Sequence, residues 1–378
     1  MIRNLSGTCL LAASVLFGST TVQAEDWKDT LKNMGKLYSS DDGLVQEVKV
    51  FGRVHYQANY SDGESGDQNF SGDYDELRRL RAGMSIKFLD GFRALGRLNL
   101  RERGLDDDVT VFDSWDELYV DYSKSDVLGF DKASVGYGRY KLLFGGEEHQ
   151  SSKRIKTIER SAINNRFGSR RPTGVNINVE KGGAEYMFGV WSTEIELEKW
   201  AGWGEDVAYQ ASAILPVAEG ELILDFIYAD NEDTILTPFG YDWAGSVTYT
   251  RKFGDVNVMT NATLADSRLD PYGFVIIPSF FIIDKKLEAA FRYQYAGVST
   301  ELGVPTSSGS RGLRRVAREE GAGGGAGDQY QAFYAGLNYY VAGDNLKFMT
   351  GVEYEDISGD RDRELTGVTY WAAVRAYF

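Results

Sequence analysis

The twelve residues FRALGRLNLRER, 92–103, place guanidinium groups at Arg93, Arg97, Arg101 and Arg103, with Phe92, Ala94, Gly96, Leu98 and Leu100 between them. A guanidinium is charged at any working pH and presents a planar fork of donors that fits oxyanions. A row of them is therefore chemistry for holding or passing anions. Two geometries turn this spacing into a row. On a strand, alternate side chains share one face; on a helix, Arg93, Arg97 and Arg101 stand four apart and form a stripe. A second basic segment, EEHQSSKRIKTIERSAINNRFGSRR, sets Lys153, Arg154, Lys156, Arg160, Arg166, Arg170 and Arg171 against Glu147, Glu148 and Glu159. Both concentrations occur in a chain whose formal net charge is -15.

Material for catalysis is scarce. The histidines are His55 and His149, and the single cysteine, Cys9, lies near the N-terminus. No G-x-S-x-G element, P-loop or paired-cysteine motif is present. His149 beside Glu147 and Glu148 is too isolated to read as a metal site. The expectation is a non-enzyme without cofactor or metal and without a nucleic-acid partner. A hydrolase assembled from distant strands is the minor alternative.

The elements that carry the arginines decide their geometry. Mean hydropathy is -0.34 while aromatics make up 13% of residues, a combination that suits sheets wetted on one face and apolar on the other. Glycine is abundant at 43 residues and proline scarce at 6, so turns rest on Gly, Asp and Asn, as in hairpin-rich antiparallel sheets. VFGRVHYQANY alternates Val50, Gly52, Val54, Tyr56, Ala58 and Tyr60 with Arg53, His55, Gln57 and Asn59. LRRLRAGMSIKF alternates Leu80, Ala82, Met84, Ile86 and Phe88 with Arg79, Arg81, Ser85 and Lys87. It joins the opening segment through Asp90-Gly91, a two-residue hairpin signal. The arginines therefore belong on a strand, and their face continues that of the preceding one. Thirteen further alternating segments follow, near 115–123, 133–143, 174–181, 184–196, 206–217, 220–229, 241–252, 255–265, 272–282, 286–296, 330–341, 346–355 and 367–378. The total is about sixteen strands, each of the length a tilted transmembrane strand requires.

At the N-terminus, Arg3, an apolar run from Leu10 to Phe17 and the small-x-small site Val22, Gln23, Ala24 read as a signal peptide over 1–24, cleaved before Glu25. Cys9 precedes the apolar run, which argues against a lipoprotein. Residues 25–44 lack alternation; Trp27, Leu31, Met34, Leu37 and Tyr38 give a weak helical spacing, and the segment reads as a short periplasmic extension or a disordered lead-in. The barrel then runs over 45–378. No apolar run is long enough for a spanning helix, which leaves a closed barrel as the membrane-spanning solution. Long connections are expected at 61–74, 104–114, 144–173 and 297–329, the last with a Gly-rich, mobile stretch at 314–328. The chain closes on TYWAAVRAYF, whose Tyr370, Ala372, Val374, Ala376 and terminal Phe378 share an apolar face. That ending is the form outer-membrane barrels present to their assembly machinery. The fold class is thus all-β, a transmembrane antiparallel barrel in the outer membrane of a Gram-negative bacterium, with a secreted β-sandwich or solenoid as the alternative.

Residues 138–175 resemble the phosphate-selective porin O and P family. The carriers of the resemblance are GRYK (Gly138 to Lys141), IERS (Ile158 to Ser161) and RRPTGV (Arg170 to Val175), with GLNYY (Gly336 to Tyr340) and LKFMTGVEYED (Leu346 to Asp356) near the end. The chain departs from the family at Leu142, Leu143 and Phe144, where Lys-x-Pro-Phe is usual. The resemblance implies a sixteen-stranded, usually trimeric barrel with lumenal arginine ladders and an anion cargo.

The expected pore lining is Arg53, Arg79, Arg81, Lys87, Arg93, Arg97, Arg101 and Arg103, three consecutive strands forming one positive wall. Lys153, Arg154, Lys156, Arg160 and Arg166 would line a constriction loop if 144–173 folds inward, and a solvated surface if it stays outside. Arginines spaced along a wall give several moderate sites, so an anion is passed on and not trapped. The competing reading is a charge-balanced diffusion pore, with Glu117 and Asp121 as ready counter-charges; a third is a closed structural or receptor barrel. Expected partners are outer-membrane lipid and lipopolysaccharide, which the acidic loops would meet through divalent cations, and small anionic or polar solutes.

Overall fold

The computed structural model describes residues 34–100, 112–168, 170–193, 207–229, 241–267, 270–298, 311–323, 327–359 and 364–378, with the side chains of 166–168 outside that description. Seventeen strands occur among them: β1 (Lys36–Ser39), β2 (Val45–Ser65), β3 (Gln68–Phe88), β4 (Phe92–Leu100), β5 (Phe112–Val127), β6 (Phe130–Arg139), β7 (Thr173–Lys181), β8 (Ala184–Ser192), β9 (Val207–Val217), β10 (Gly220–Ala229), β11 (Trp243–Phe253), β12 (Val256–Asp266), β13 (Tyr272–Ile283), β14 (Leu287–Gly297), β15 (Gln329–Tyr340), β16 (Leu346–Ser358) and β17 (Leu365–Tyr377). From β2 onward each pairs antiparallel with the next, and β17 returns to β2 with Tyr377 opposite Arg53 and Leu365 opposite Ser65. The result is a closed barrel of 16 strands with one further strand outside it. Closure leaves no unpaired edge in lipid.

Tight turns gather at one end. Gly182 and Gly183 (φ 59° and 84°), and Ala218 and Glu219 (48° and 62°), take positive φ at both central positions, the two-residue turn whose twist matches antiparallel strands. The β3–β4 turn is one residue longer than Asp90-Gly91 alone: Leu89, Asp90 and Gly91, all at positive φ, lie between the paired Phe88 and Phe92. The same end holds β1 and Phe378: Gly35 accepts from the Val50 amide at 2.7 Å, and Gly52 exchanges backbone bonds with Phe378 at 3.3 Å. Short turns mark the periplasmic rim of such barrels and long connections the outer rim.

The wall alternates as the sequence dictates. On β2, His55, Gln57, Asn59 and Ser61 are buried inside, while Val54 and Tyr60 are exposed outside. Phe88, Phe92 and Tyr122 touch across three strands at ring-centroid distances of 5.6 and 4.8 Å, forming part of an aromatic band near the periplasmic rim.

Four expectations need correction. Residues 61–74 are not a loop: β2 and β3 continue through them in register, Ser65 opposite Gln68, so the hairpin rises as a paired ribbon. Its Gly, Asp and Ser content masked the inward positions Gly63, Phe70 and Tyr74, which have an inner partner to pack on. That partner is a helix, α3 (Gly312–Glu319), which takes in the first part, 314–319, of the stretch read as Gly-rich and mobile. The strand read as 133–143 ends at Arg139, and the chain turns inward at Tyr140. Lys36–Ser39 is a strand on β2 and not part of a helical run. Residues 1–33, and with them the signal-peptide reading, lie outside the described residues.

The connection between β6 and β7 enters the lumen and carries two short helices, α1 (Gly146–His149) and α2 (Ala162–Gly168). Leu142, Phe144, Ile158 and Ile163 are buried against the inner wall, at 0 to 3% exposure. An apolar anchor of this kind fixes the loop where a polar one would exchange with water.

A candidate anion passage at the constriction

The inward loop is held by donors from the far wall. Arg375 on β17 donates to the carbonyl of Ser152 at 3.3 Å and to those of Thr157 and Ile158. Lys347 donates to Ile155 O at 2.9 Å, Arg292 to Glu159 O at 2.6 Å, and Gln210 to Leu143 O at 2.5 Å. Lys156 binds Glu288 at 2.7 Å, and Lys153 reaches Asn345 in the β15–β16 turn, so the loop dips to the periplasmic rim. Arg375, Lys347, Arg292 and Gln210 satisfy loop carbonyls that have no secondary-structure partner. The constriction loop is thereby pressed toward β10–β17, and space remains beside β2–β5.

That space is a cavity of about 180 Å³ lined by Arg53, Arg79, Arg81, Arg97, Glu117, Lys141, Leu143, His149, Ser151, Ser152, Arg160 and Arg171. Seven of its twelve residues are Arg or Lys, and one is acidic. Four cations come from the wall and three from the loop, so positive charge faces the gap from both sides.

Three carboxylates arrange this ring. Asp116, 2% exposed, accepts from Arg81 at 2.9 Å, Arg97 at 2.5 Å and Arg171 at 3.0 Å, tying the loop's return limb to the wall. Glu117 pairs with Arg97. Glu148, fully buried, binds Lys141 at 2.8 Å and Arg160 at 3.0 Å. Burial opposes the Glu148 charge, but Lys141, Arg160 and Arg171 outweigh it and hold its pKa down to about 2. Burial, helped by Arg160 and Arg171 against the pull of Glu148, lowers Lys141 to about 7. Arg53 and Arg79 differ from the rest: Arg53 donates to Ser152 Oγ at 2.6 Å and Arg79 to His55 Nδ1 at 3.3 Å, and neither has a carboxylate in ion-pair reach among the described residues.

Two β-bulges supply groups that strict alternation sends outward. In β3, Arg79 faces His55 and Leu77 faces Tyr56, so Arg78 is the extra residue and also points in, onto Glu159 at 2.7 Å. In β5, Glu117 faces Arg97 and Trp115 faces Leu98, so Asp116 is the extra one. Bulges re-aim single side chains in this way. Glu159 also accepts from Gln57 at 2.9 Å and lies 3.7 Å from Arg311. Burial opposes its charge, yet Arg78 and Arg311 keep its carboxyl well below the usual range.

The expected lining residues thus divide. Arg53, Arg79, Arg81 and Arg97 meet in the cavity with Arg160 of the loop. Lys87 and Arg93 stand at the periplasmic rim, paired with Glu47 at 3.1 Å and with Asp121, and are 56% and 43% exposed. The Arg97–Glu117 and Arg93–Asp121 pairs are the counter-charges named in the sequence. Lys153 and Lys156 hold the loop to the wall, and Arg154 is exposed. Arg101 and Arg103, and the side chain of Arg166, lie outside the described residues. Sequence reasoning missed Arg78 and Asp116, hidden by the bulges, and Lys141, which carried only a motif resemblance; Arg171 was counted in the basic segment but not among the expected constriction residues. It also missed Arg292, Lys347 and Arg375, whose inward parity is readable but which lie beyond the three strands considered.

Comparison with known proteins agrees with this architecture. The barrel superposes on the outer membrane channel DcaP of Acinetobacter baumannii with a TM-score of 0.52 at 14% identity, covering 90% of this chain and 99% of that one. For Pseudomonas putida OprB the TM-score is 0.58 at 13% identity, covering 93% and 97%. For an anion-selective porin from Comamonas acidovorans it is 0.58 at 12% identity, covering 88% and 99%. At such identities the likeness is one of fold. No curated protein sequence matches the chain. The family model for phosphate-selective porin O and P matches residues 48–210, the span that holds β2 to β8, the inward loop and every cation of the constriction cavity. Over that span the chain is similar to the phosphate-selective porin O and P family, in a barrel with the porin fold.

Proposed function

We propose that this protein is an outer-membrane porin through which small hydrophilic solutes diffuse passively, with a preference for anions. The observation that carries the reading is the pair Arg53 and Arg79, two guanidinium groups facing the gap with no carboxylate in reach among the described residues. Five further cations line the same cavity, with Asp116, Glu117 and Glu148 as counter-charges. The excess favours anions, while the counter-charges keep each site moderate, which conduction requires. Phosphate-like oxyanions fit the guanidinium forks. We further read the protein as a homotrimer embedded in lipid and lipopolysaccharide, delivered by the signal of residues 1–24 and assembled through Phe378.

A charge-balanced diffusion pore is the second reading, favoured by the Arg97–Glu117, Arg93–Asp121 and Lys87–Glu47 pairs. Reversal potential under a KCl gradient separates the two, measured on single channels in planar bilayers. The expected result is chloride selectivity that weakens in Arg53→Gln/Arg79→Gln and holds in Arg93→Gln. Cation selectivity would overturn the anion reading, and absence of conductance would leave a closed structural barrel.

A further inference from the structure

Helix α3 belongs to the outer connection between β14 and β15, yet it lies inside the barrel mouth, packed on β2, β3 and β17. Leu313, Val316 and Ala317 are buried there at 0 to 2% exposure. The wall is cut away to receive them: a Cβ at Gly63 or Gly367 would come within 3 Å of Leu313, and one at Gly72 would stand 3.0 Å from Val316. The first turn is seated as closely. Gly312 takes φ +57° and donates its amide to Tyr74 Oη at 2.8 Å, and a Cβ on it would stand 3.1 Å from Trp371 and 3.4 Å from Glu355. A helix held by these contacts also fixes the direction of the residue that leads into it, Arg311, whose backbone is extended.

Arg311 reaches across to the constriction loop. Its guanidinium binds Glu76 of β3 at 3.1 Å and lies 3.7 Å from Glu159 of the loop. The wall converges on the same loop residue: Arg78 and Gln57 bind the Glu159 carboxylate at 2.7 and 2.9 Å, and Arg292 holds its carbonyl at 2.6 Å. Gln57 joins the two carboxylates by donating to Glu76 as well, at 2.8 Å. Between the first turn of α3 and the loop stands a cavity of about 20 Å³, walled in part by Glu159, Arg160, Arg311 and Gly312, with room for a single water. The two inward elements are therefore linked there by charge across a gap and not by packing. Glu159 shares a peptide bond with Arg160, which lines the passage and binds Glu148 at 3.0 Å. A shift of Glu159 is thus a shift of a passage cation.

We propose that Arg311 is a positioning residue for the constriction: docked α3 aims it at Glu159, and through Glu159 it limits the excursions of Arg160 into the passage. The outer connection then braces the inward loop from above, while Lys153 and Lys156 hold it from below. The brace acts on one shared constriction, so it alters passage equally for solutes from either side. This inference rests on the channel reading above and not on the anion preference.

The test reads open-channel current noise in symmetric KCl, from single channels whose heat-modifiable migration shows a folded barrel. In Arg311→Gln the frequency of brief current steps should rise about threefold to fivefold, the worth of one ion pair near a protein surface, and Arg311→Lys should restore the quiet state. Arg318→Gln removes the same charge from the exposed last turn of the helix and should stay at the wild-type level. Val316→Asp, which undocks the helix, should match Arg311→Gln, and the double variant should exceed neither, since both break one link. Unchanged noise in a folded, conducting Arg311→Gln or Val316→Asp channel overturns the positioning role. So does an equal rise in Arg318→Gln, or a summed rise in the double variant. A wild type that carries no current overturns the channel reading instead.

Discussion

Arg78 and Arg79 are neighbours in the chain and both point into the barrel, Arg78 onto Glu159 at 2.7 Å and Arg79 onto His55 at 3.3 Å. The bulge that allows this assigns the two residues different work. Arg78 positions the constriction loop and Arg79 faces the passage.

Replacing Arg78 by Ala leaves Glu159 with Gln57 and Arg311 as partners. Breaking one partner of a buried pair costs roughly 3–5 kcal/mol, and the remaining donors place the loss at the lower end. The expected phenotype is a noisier open channel and a lower unfolding temperature of the detergent-solubilised barrel. Quiet, wild-type conductance would show that the loop needs no such tether.

Arg79→Gln and Arg53→Gln should act on selectivity with little effect on stability, since neither residue holds a carboxylate. A unit charge at contact distance in water is worth about 1 kcal/mol, or roughly fivefold in a ratio. Each substitution should lower the chloride-to-potassium permeability ratio by up to that factor, as read from the reversal potential.

Asp116→Asn removes one negative charge from the cation ring, takes the ion-pair partner from Arg81 and Arg171, and leaves Arg97 with Glu117 alone. Chloride selectivity should rise, and phosphate should block for longer because the freed guanidinium groups can close on it. Shorter block with unchanged selectivity would mean the arginines lose their arrangement without this carboxylate.

Selectivity should also depend on pH through Lys141. Its folded pKa is lowered to about 7, so the ammonium is charged below that pH and neutral above it. Chloride preference should decline as pH rises from 6 to 8, and Lys141→Met should be flat at the weaker, high-pH level. A wild-type profile that matches the variant would show that Lys141 keeps its proton throughout.

Gly138 takes φ +141°, and a Cβ there would meet Leu118 O at 2.2 Å and Tyr119 Cα at 2.6 Å. Backbone atoms do not yield as side-chain ends do. Gly138→Ala should therefore disturb β5–β6 pairing and reduce the heat-modifiable folded fraction on refolding.

Much of this was legible in the sequence. Alternation alone sets Arg53, Arg79, Arg81, Arg93 and Arg97 on one face, and the Asp90-Gly91 turn ties two of their strands together. Alternation fails at Arg78 and Asp116, because a bulge is a property of the pair of strands and leaves no trace in either one. The hairpin tip at 61–74 read as a loop because its Gly63 and Gly72 look like turn residues, when they are instead the floor on which α3 rests. That helix was obscured in turn by the glycines that follow it. The roles of Arg292, Lys347 and Arg375 depend on which loop carbonyl lies opposite each, a relation that exists only after closure.

The inward loop is rooted at the outer rim on β6 and β7 yet bonded to Asn345 at the periplasmic rim, and the seam that seals it in joins Arg53 to Tyr377 and Ser65 to Leu365. The seam partners are separated by most of the chain, so their pairing carries the largest ordering cost of any contact in the wall. A loop of this reach is placed most easily while that seam is open, which makes filling of the interior part of the folding pathway. The last event in biogenesis is then the zipping of the final strand onto the first around a constriction already in place.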